Sequence, residues 1–350
     1  MLPSRSSSTN PQNRFERLRC EPEIDIDPGY LEEDERPLPR TAFLRDLSAS
    51  ILSRNESPDI GFTYSVNPYR GCEHGCAYCY ARPTHEYLGF SPGLDFETKI
   101  LVKPDAPRLL REALASPKWE PQGVMMSGVT DCYQPAEHRF RITRGCLEVF
   151  AEFRNPVSII TKNHLVTRDI DLLQELAAHR AVSVCLSITS LDPELARRLE
   201  PRASLPARRL GAIEKLSRAG IPVSVNVAPI IPGLNDHEVP TIVAAARAAG
   251  AIGAGYTLVR LPYGVKDLFA DWLETHYPQK KDGVLGRICN YRKGKVYDAA
   301  WGTRMTGSGA YADNIAEMMR VAVNRAKFPA RPGLSTAAFR RPAGPQLELL

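Results

Sequence analysis

The chain has 350 residues, of which 43% are hydrophobic and 24% charged, and a formal net charge of +5. That length and balance suit one large core with extensions at its ends and exclude disorder throughout. The mild basic excess is not the concentrated face of a nucleic-acid binder, and no apolar run reaches the roughly eighteen residues that a membrane span requires.

Residues 1–55 are expected to form a mobile or extended N-terminal arm. They are rich in Ser, Pro and Asn, and acidic between 21 and 35, with no sustained apolar period. The opening residues lack the apolar stretch of a secretory signal, so a cytoplasmic protein with reduced thiols is expected. The first strand is read over 62–66, where Phe-Thr-Tyr-Ser-Val alternates before Asn67-Pro68. Five further short apolar strands are read over 124–129, 157–161, 182–188, 223–227 and 255–259. Between them lie amphipathic helices over 137–153, 167–179 with Thr167 as its cap, 206–219 and 236–249.

Strands of this length alternating with helices imply right-handed crossovers and a parallel sheet. The expected fold class is therefore α/β: a partial (β/α)6 TIM-like barrel over 56–262 with an N-terminal arm and a C-terminal helical extension. Its functional residues should follow the strands, at their C-terminal ends. Beyond Pro262 three helical stretches, over 265–276, 284–291 and 311–327, read as an extension covering 263–328. The proline-bearing tail at 329–350 is expected to be disordered. Seven basic residues between Lys280 and Arg304 are read chiefly as a solvated face, with nucleic-acid contact as the lesser alternative.

Three of the eight cysteines, Cys72, Cys76 and Cys79, fall within eight residues in the loop after the first strand. Thiolates so close must share a metal or cluster in a reducing compartment. The spacing leaves an iron–sulfur cube one protein ligand short, so one iron is open to a small molecule. A structural zinc site completed by His74 or His85 is the alternative, against which stands the lack of a second Cys-xx-Cys among Cys20, Cys132, Cys146, Cys185 and Cys289. Lys162, after the third strand, puts a cation at the barrel mouth, and Arg202 in Glu200-Pro-Arg is a second candidate for the same anion. Ser187 and Asn226, on the fourth and fifth strands, are polar candidates at the same mouth.

The cysteine spacing, with Tyr78 before the third cysteine, resembles the radical S-adenosylmethionine (SAM) superfamily. The resemblance implies a 4Fe-4S cluster and SAM as cofactors, reductive cleavage of SAM to a 5′-deoxyadenosyl radical, hydrogen abstraction from a substrate, and a low-potential electron donor such as flavodoxin or ferredoxin. It puts Tyr78 by the adenine, Thr130 and Asp131 by the methionine amino group and Lys162 by its carboxylate, and makes Ser187 and Asn226 the candidates for the ribose hydroxyls. Within the superfamily, Tyr78, Tyr80, Lys162 and Val129-Thr130-Asp131 resemble spore photoproduct lyase and its relatives over residues 60–262. With the runs at 298–305 and 307–311, the chain looks like a bacterial subgroup of lyase-related proteins. The lyase carries a hydrogen-donating cysteine before that triplet, where this chain has Gly128. Tyr80 and Cys132 are therefore the catalytic candidates. Two alternatives stay open: a lyase acting on nucleic-acid lesions, and a non-catalytic Fe–S or zinc metalloprotein.

Overall fold

The computed structural model describes residues 5–7, 9–15, 40–330 and 332–342. The acidic run at 21–35 and Cys20 lie outside these residues. Ten strands occur among the described residues: β1 (Ala42–Arg45), β2 (Leu52–Arg54), β3 (Tyr64–Val66), β4 (Tyr69–Arg70), β5 (Lys99–Val102), β6 (Val124–Met126), β7 (Val157–Thr161), β8 (Val182–Ile188), β9 (Val223–Ile230) and β10 (Ala254–Leu258). Six of them, β3 and β6 to β10, lie side by side in chain order and in parallel, as the α/β partial-barrel reading requires, and β2 is added antiparallel to β3 at one edge. Tyr64, Val124, Val157 and Val182 share one register row across the sheet. The central β8 is almost wholly buried, which is what a β-branched run covered on both faces requires.

Eleven helices are described: α1 (Leu94–Thr98), α2 (Ala106–Ala115), α3 (Glu137–Phe140), α4 (Ile142–Phe153), α5 (Ile170–Ala178), α6 (Pro193–Leu199), α7 (Pro206–Arg218), α8 (Val239–Ala248), α9 (Val265–His276), α10 (Lys281–Asn290) and α11 (Ala310–Ala326). Two differ from the sequence reading for local reasons. The single helix expected over 137–153 breaks at Arg141, whose φ is +53°. There the buried Glu137 carboxylate turns to accept the Thr143 amide at 3.0 Å and so caps α4. The cap before α5 is Asn163, which accepts the Leu165 amide at 3.0 Å, and Thr167 lies inside the 3-10 turn that follows, its hydroxyl on the His164 carbonyl.

A second, three-stranded sheet, β1-β5-β4, stands beside the cysteine loop. Residues 5–7 and 9–15 run along this region: the Ser6 hydroxyl and Ser7 amide donate to Glu97, and the Asn13 amide group to the Glu86 carbonyl. The tail expected to be disordered is docked over 332–342. The Arg340 amide donates to the Phe153 carbonyl, the Ser335 amide to the Arg180 carbonyl, and Phe339 faces the Phe153 ring at 6.4 Å. Its phenyl ring and backbone bonds anchor a segment whose prolines alone suggested none. No helix among the described residues is long and apolar enough to cross a membrane.

Candidate active site

The cysteine loop leaves β4 at Gly71, with φ +78°, and turns again at Gly75, with φ +63°. A side-chain carbon at Gly71 would lie 2.8 Å from the His85 ring and 2.9 Å from the Phe96 carbonyl, and one at Gly75 would lie 2.5 Å from the Glu97 carboxylate. Both positions thus demand glycine for backbone angle and for space. The Cys72 amide is tied to the Phe96 carbonyl at 3.0 Å, and the Ala77 amide to the Leu199 carbonyl at 2.9 Å. Behind the loop, the buried Arg82 guanidinium holds the Cys76 carbonyl at 2.9 and 3.1 Å and the Glu97 carboxylate at 2.5 Å. This enclosed ion pair locks the backbone of the loop at Cys76.

Cys72, Cys76 and Cys79 all face one cavity of about 140 Å³, which Thr130, Asp131, Lys162, Ser187 and Tyr80 also line. Each wall follows a strand. Ser127, directly after β6, takes φ +83°, an angle serine rarely adopts, and its hydroxyl accepts the Cys132 amide at 3.0 Å. The Thr130 hydroxyl donates to the Gly71 carbonyl at 2.6 Å. The Asp131 carboxylate accepts the Thr161 hydroxyl at 2.7 Å and the Lys162 amide at 2.8 Å, with His74 Nδ1 3.3 Å away. Burial opposes its charge, but His74 and these hydrogen bonds hold it below the ordinary carboxylate range.

Lys162 Nζ is 3.0 Å from Glu200, 3.0 Å from the Thr189 hydroxyl and 2.9 Å from the Ala228 carbonyl. Glu200 is 2% exposed and also accepts from Arg209 and the Tyr78 hydroxyl. Burial disfavours its charge, but Arg209 and Lys162 outweigh that and hold Glu200 well below the ordinary carboxylate range. A second cavity, of about 260 Å³, shares Tyr80, Lys162 and Ser187 with the first and adds Tyr78, Asn226 and Arg260. Tyr80 stands between the two, its hydroxyl 2.5 Å from the Gly128 carbonyl and its ring 4.3 Å from the Arg260 guanidinium.

Two sequence candidates belong elsewhere. Arg202 lines neither cavity: it pairs with Glu73 at 3.0 Å on another face, because α6 intervenes after β8 and carries the chain away. Cys132 is fully buried within the apolar core and lines neither cavity, its amide on Ser127 and its carbonyl on the Thr143 hydroxyl. Burial pushes its thiol well above its ordinary pKa. Conversely, the sequence reading missed Glu200, Arg82 with Glu97, and Arg260. One signal existed for Glu200: it ends α6, where the helix dipole disfavours a carboxylate unless cations are waiting.

The donor set fits an iron–sulfur cluster with an open iron. Three thiols share the cavity, and burial keeps each protonated until metal replaces the proton. His74 has both ring nitrogens engaged, on Asp131 and on Asn163 at 3.2 Å. His85 lines neither cavity and points Nε2 to the Lys99 carbonyl. Among the described residues no three His, Cys, Asp or Glu side chains converge closely enough for a single metal ion.

Residues 66–246 match the radical SAM superfamily, and the chain belongs to that superfamily. Membership implies binding of SAM and of an iron–sulfur cluster. An uncharacterised protein of Mycobacterium tuberculosis is 40% identical over 220 residues, which are 62% of this chain and 65% of that relative, so less than two thirds of its length is matched. The radical SAM Nalpha-GlyT isomerase of Pseudomonas phage M6 is 27% identical over 49% of this chain and 34% of its own length. Among solved structures, spore photoproduct lyase complexed with dinucleoside spore photoproduct superposes with a TM-score of 0.57 at 16% identity, covering 81% of this chain and 79% of the lyase. At that identity the likeness is one of fold.

Proposed function

We propose that the chain is a lyase-related radical SAM enzyme that cleaves SAM reductively and abstracts hydrogen from its substrate. The observation that carries this reading is the meeting of three cysteines and Lys162 in one cavity at the C-terminal ends of parallel strands, where His74 has both ring nitrogens engaged and His85 lines no part of the cavity. A bound 4Fe-4S cluster would supply the electron that splits SAM into methionine and a 5′-deoxyadenosyl radical.

Cys72, Cys76 and Cys79 are assigned as cluster ligands. Lys162 is assigned to the SAM carboxylate: with Arg209 it shares the single charge of Glu200, so that group of three carries one positive charge in excess, which an incoming carboxylate balances. Thr130 and Asp131 hold the cysteine loop and the turn after β7 in place, and offer oxygens to the amino group. Tyr78, Ser187 and Asn226 wall the cavity where adenosine would lie. Tyr80 presents the phenol nearest Gly128, where the lyase has its thiol, and is assigned to the hydrogen-transfer side. A lyase acting on nucleic-acid lesions is a narrower form of the same reading, and it would have to replace that thiol with Tyr80. The need for reduced cysteines suits the cytoplasm.

The test compares anaerobically reconstituted variants by iron, sulfide and SAM binding. Cys76→Ala should lose the metal, while His74→Ala and His85→Ala keep it. Lys162→Ala should keep iron and sulfide but bind SAM at least about ten-fold more weakly, the loss of roughly one charged hydrogen bond. Metal loss in either histidine variant would favour a closed, non-catalytic site, and unchanged SAM affinity would remove Lys162 from its role.

A further inference from the structure

Arg260 follows β10, the last of the six parallel strands, and lines the cavity of about 260 Å³ together with Tyr78, Tyr80, Lys162 and Met305. The backbone just before it is fixed: the Val259 amide donates to the Ile230 carbonyl at 3.0 Å, and the Val259 carbonyl accepts from Tyr291 and Arg292. The side chain is therefore presented from a rigid strand end, where a residue can be held to a defined position.

The other cations around this cavity are already engaged. Lys162 is shared by Glu200, Thr189 and Ala228, Arg304 of the segment that carries Met305 grips Asp59, and Arg292 donates to the Val259 and Thr303 carbonyls at 3.0 Å. Arg260, half-buried, has no such partner. Among the described residues no carboxylate, carbonyl or hydroxyl accepts from its guanidinium, and no Asp or Glu lines the cavity. It is placed instead by Tyr80, whose ring centroid lies 4.3 Å from the guanidinium carbon. Contact with an aromatic ring orients a guanidinium without occupying an acceptor, so its five N–H donors are left for a ligand. Such a fork takes a carboxylate or phosphate bidentately.

We propose that Arg260 is the anion receptor for the substrate, a small molecule bearing a carboxylate or phosphate group, which it orients beside Tyr80; the inference rests on the radical SAM reading above. The SAM carboxylate is assigned to Lys162, which leaves the Arg260 fork to the substrate. Ile160, Pro229, Leu258 and Met305 make much of the remaining wall apolar. One charged anchor among apolar walls holds a small ligand in a single orientation.

The experiment uses the full chain, reconstituted anaerobically and loaded with SAM, with phenyl phosphate and phenylacetate as probes and isothermal titration calorimetry as the readout. At least one probe should bind the unaltered chain. Arg260→Gln should bind it at least about ten-fold more weakly, the loss of a charged hydrogen bond, and Arg260→Lys, which keeps the charge and loses the fork, at least about three-fold more weakly. SAM affinity should stay the same in both variants. The tighter probe names the group, phosphate ester or carboxylic acid. Unchanged probe affinity in either variant, or no binding of either probe, would overturn the proposal. A ten-fold loss of SAM affinity in Arg260→Gln would also overturn it, by giving the residue to the cofactor. A single-stranded DNA oligonucleotide that binds through Arg260 while neither probe does would overturn it as well. Should the chain take up no cluster, the radical SAM reading itself fails, and the same titrations without cluster or SAM still decide the anion site.

Discussion

His85 is fully enclosed beneath Gly71, with Nε2 2.9 Å from the Lys99 carbonyl and no hydrogen-bond partner for Nδ1 among the described residues. Burial lowers its pKa from 6.5 to about 4. The folded chain thus keeps the ring neutral across a range in which the unfolded chain takes up a proton. The stability this gives is whole above about pH 6.5 and is lost as pH falls toward about 4, by roughly 3 kcal/mol at about 1.4 kcal/mol per unit. Urea unfolding at pH 7 and 4.5 checks it: the unaltered chain should lose more stability between the two than His85→Phe does. Equal losses would mean that this ring does not set the acid limit. Glu200 follows the opposite logic, a buried carboxylate kept charged by Arg209 and Lys162, whose contribution is present above the ordinary carboxylate range and fades as pH drops through and below it.

The helical extension completes the sheet on its open side. Among the described residues no further parallel strand follows β10, and the Leu258 amide instead donates to the Met305 carbonyl at 2.9 Å. That segment is latched by Arg304, which grips Asp59 at 2.7 and 2.5 Å, and by the Tyr291 hydroxyl and Arg292, which meet the Val259 carbonyl at 3.1 and 3.0 Å. An edge strand is thereby covered, and Arg304 is held in a turn. Asp59→Ala should speed hydrogen exchange at Leu258 while changing global stability by less than about 1 kcal/mol, the scale of a surface ion pair. Undisturbed protection at Leu258 would show that the latch does not hold this edge. The extent to which such elements could be read beforehand follows their length and burial. β7 and β8 are apolar runs of five and seven residues, and their limits agree with the sequence reading. β1 and β4, of four and two residues, carry no period long enough to see, and β1 is mostly exposed.

For the molecule as a whole, the site was legible where its parts are contiguous in sequence. The three cysteines lie in one loop, and Lys162 directly follows its strand. It was illegible where partners meet only through the fold: Glu200 and Tyr78 are 122 residues apart, and Ser6 reaches Glu97 across 91. Proximity in sequence also misled, since Arg202 is turned to another face by α6 and Cys132 is folded into the core by the turn after Ser127. The central claim is that these distant contacts hold an open cluster site for SAM cleavage. It is tested most directly by reconstituting the chain anaerobically with iron and sulfide, reducing it with dithionite, adding SAM and quantifying 5′-deoxyadenosine. The expected result is 5′-deoxyadenosine from the unaltered chain and none from Cys72→Ala, Cys76→Ala or Cys79→Ala. A full, reducible cluster that releases none, or equal release from the cysteine variants, would contradict it.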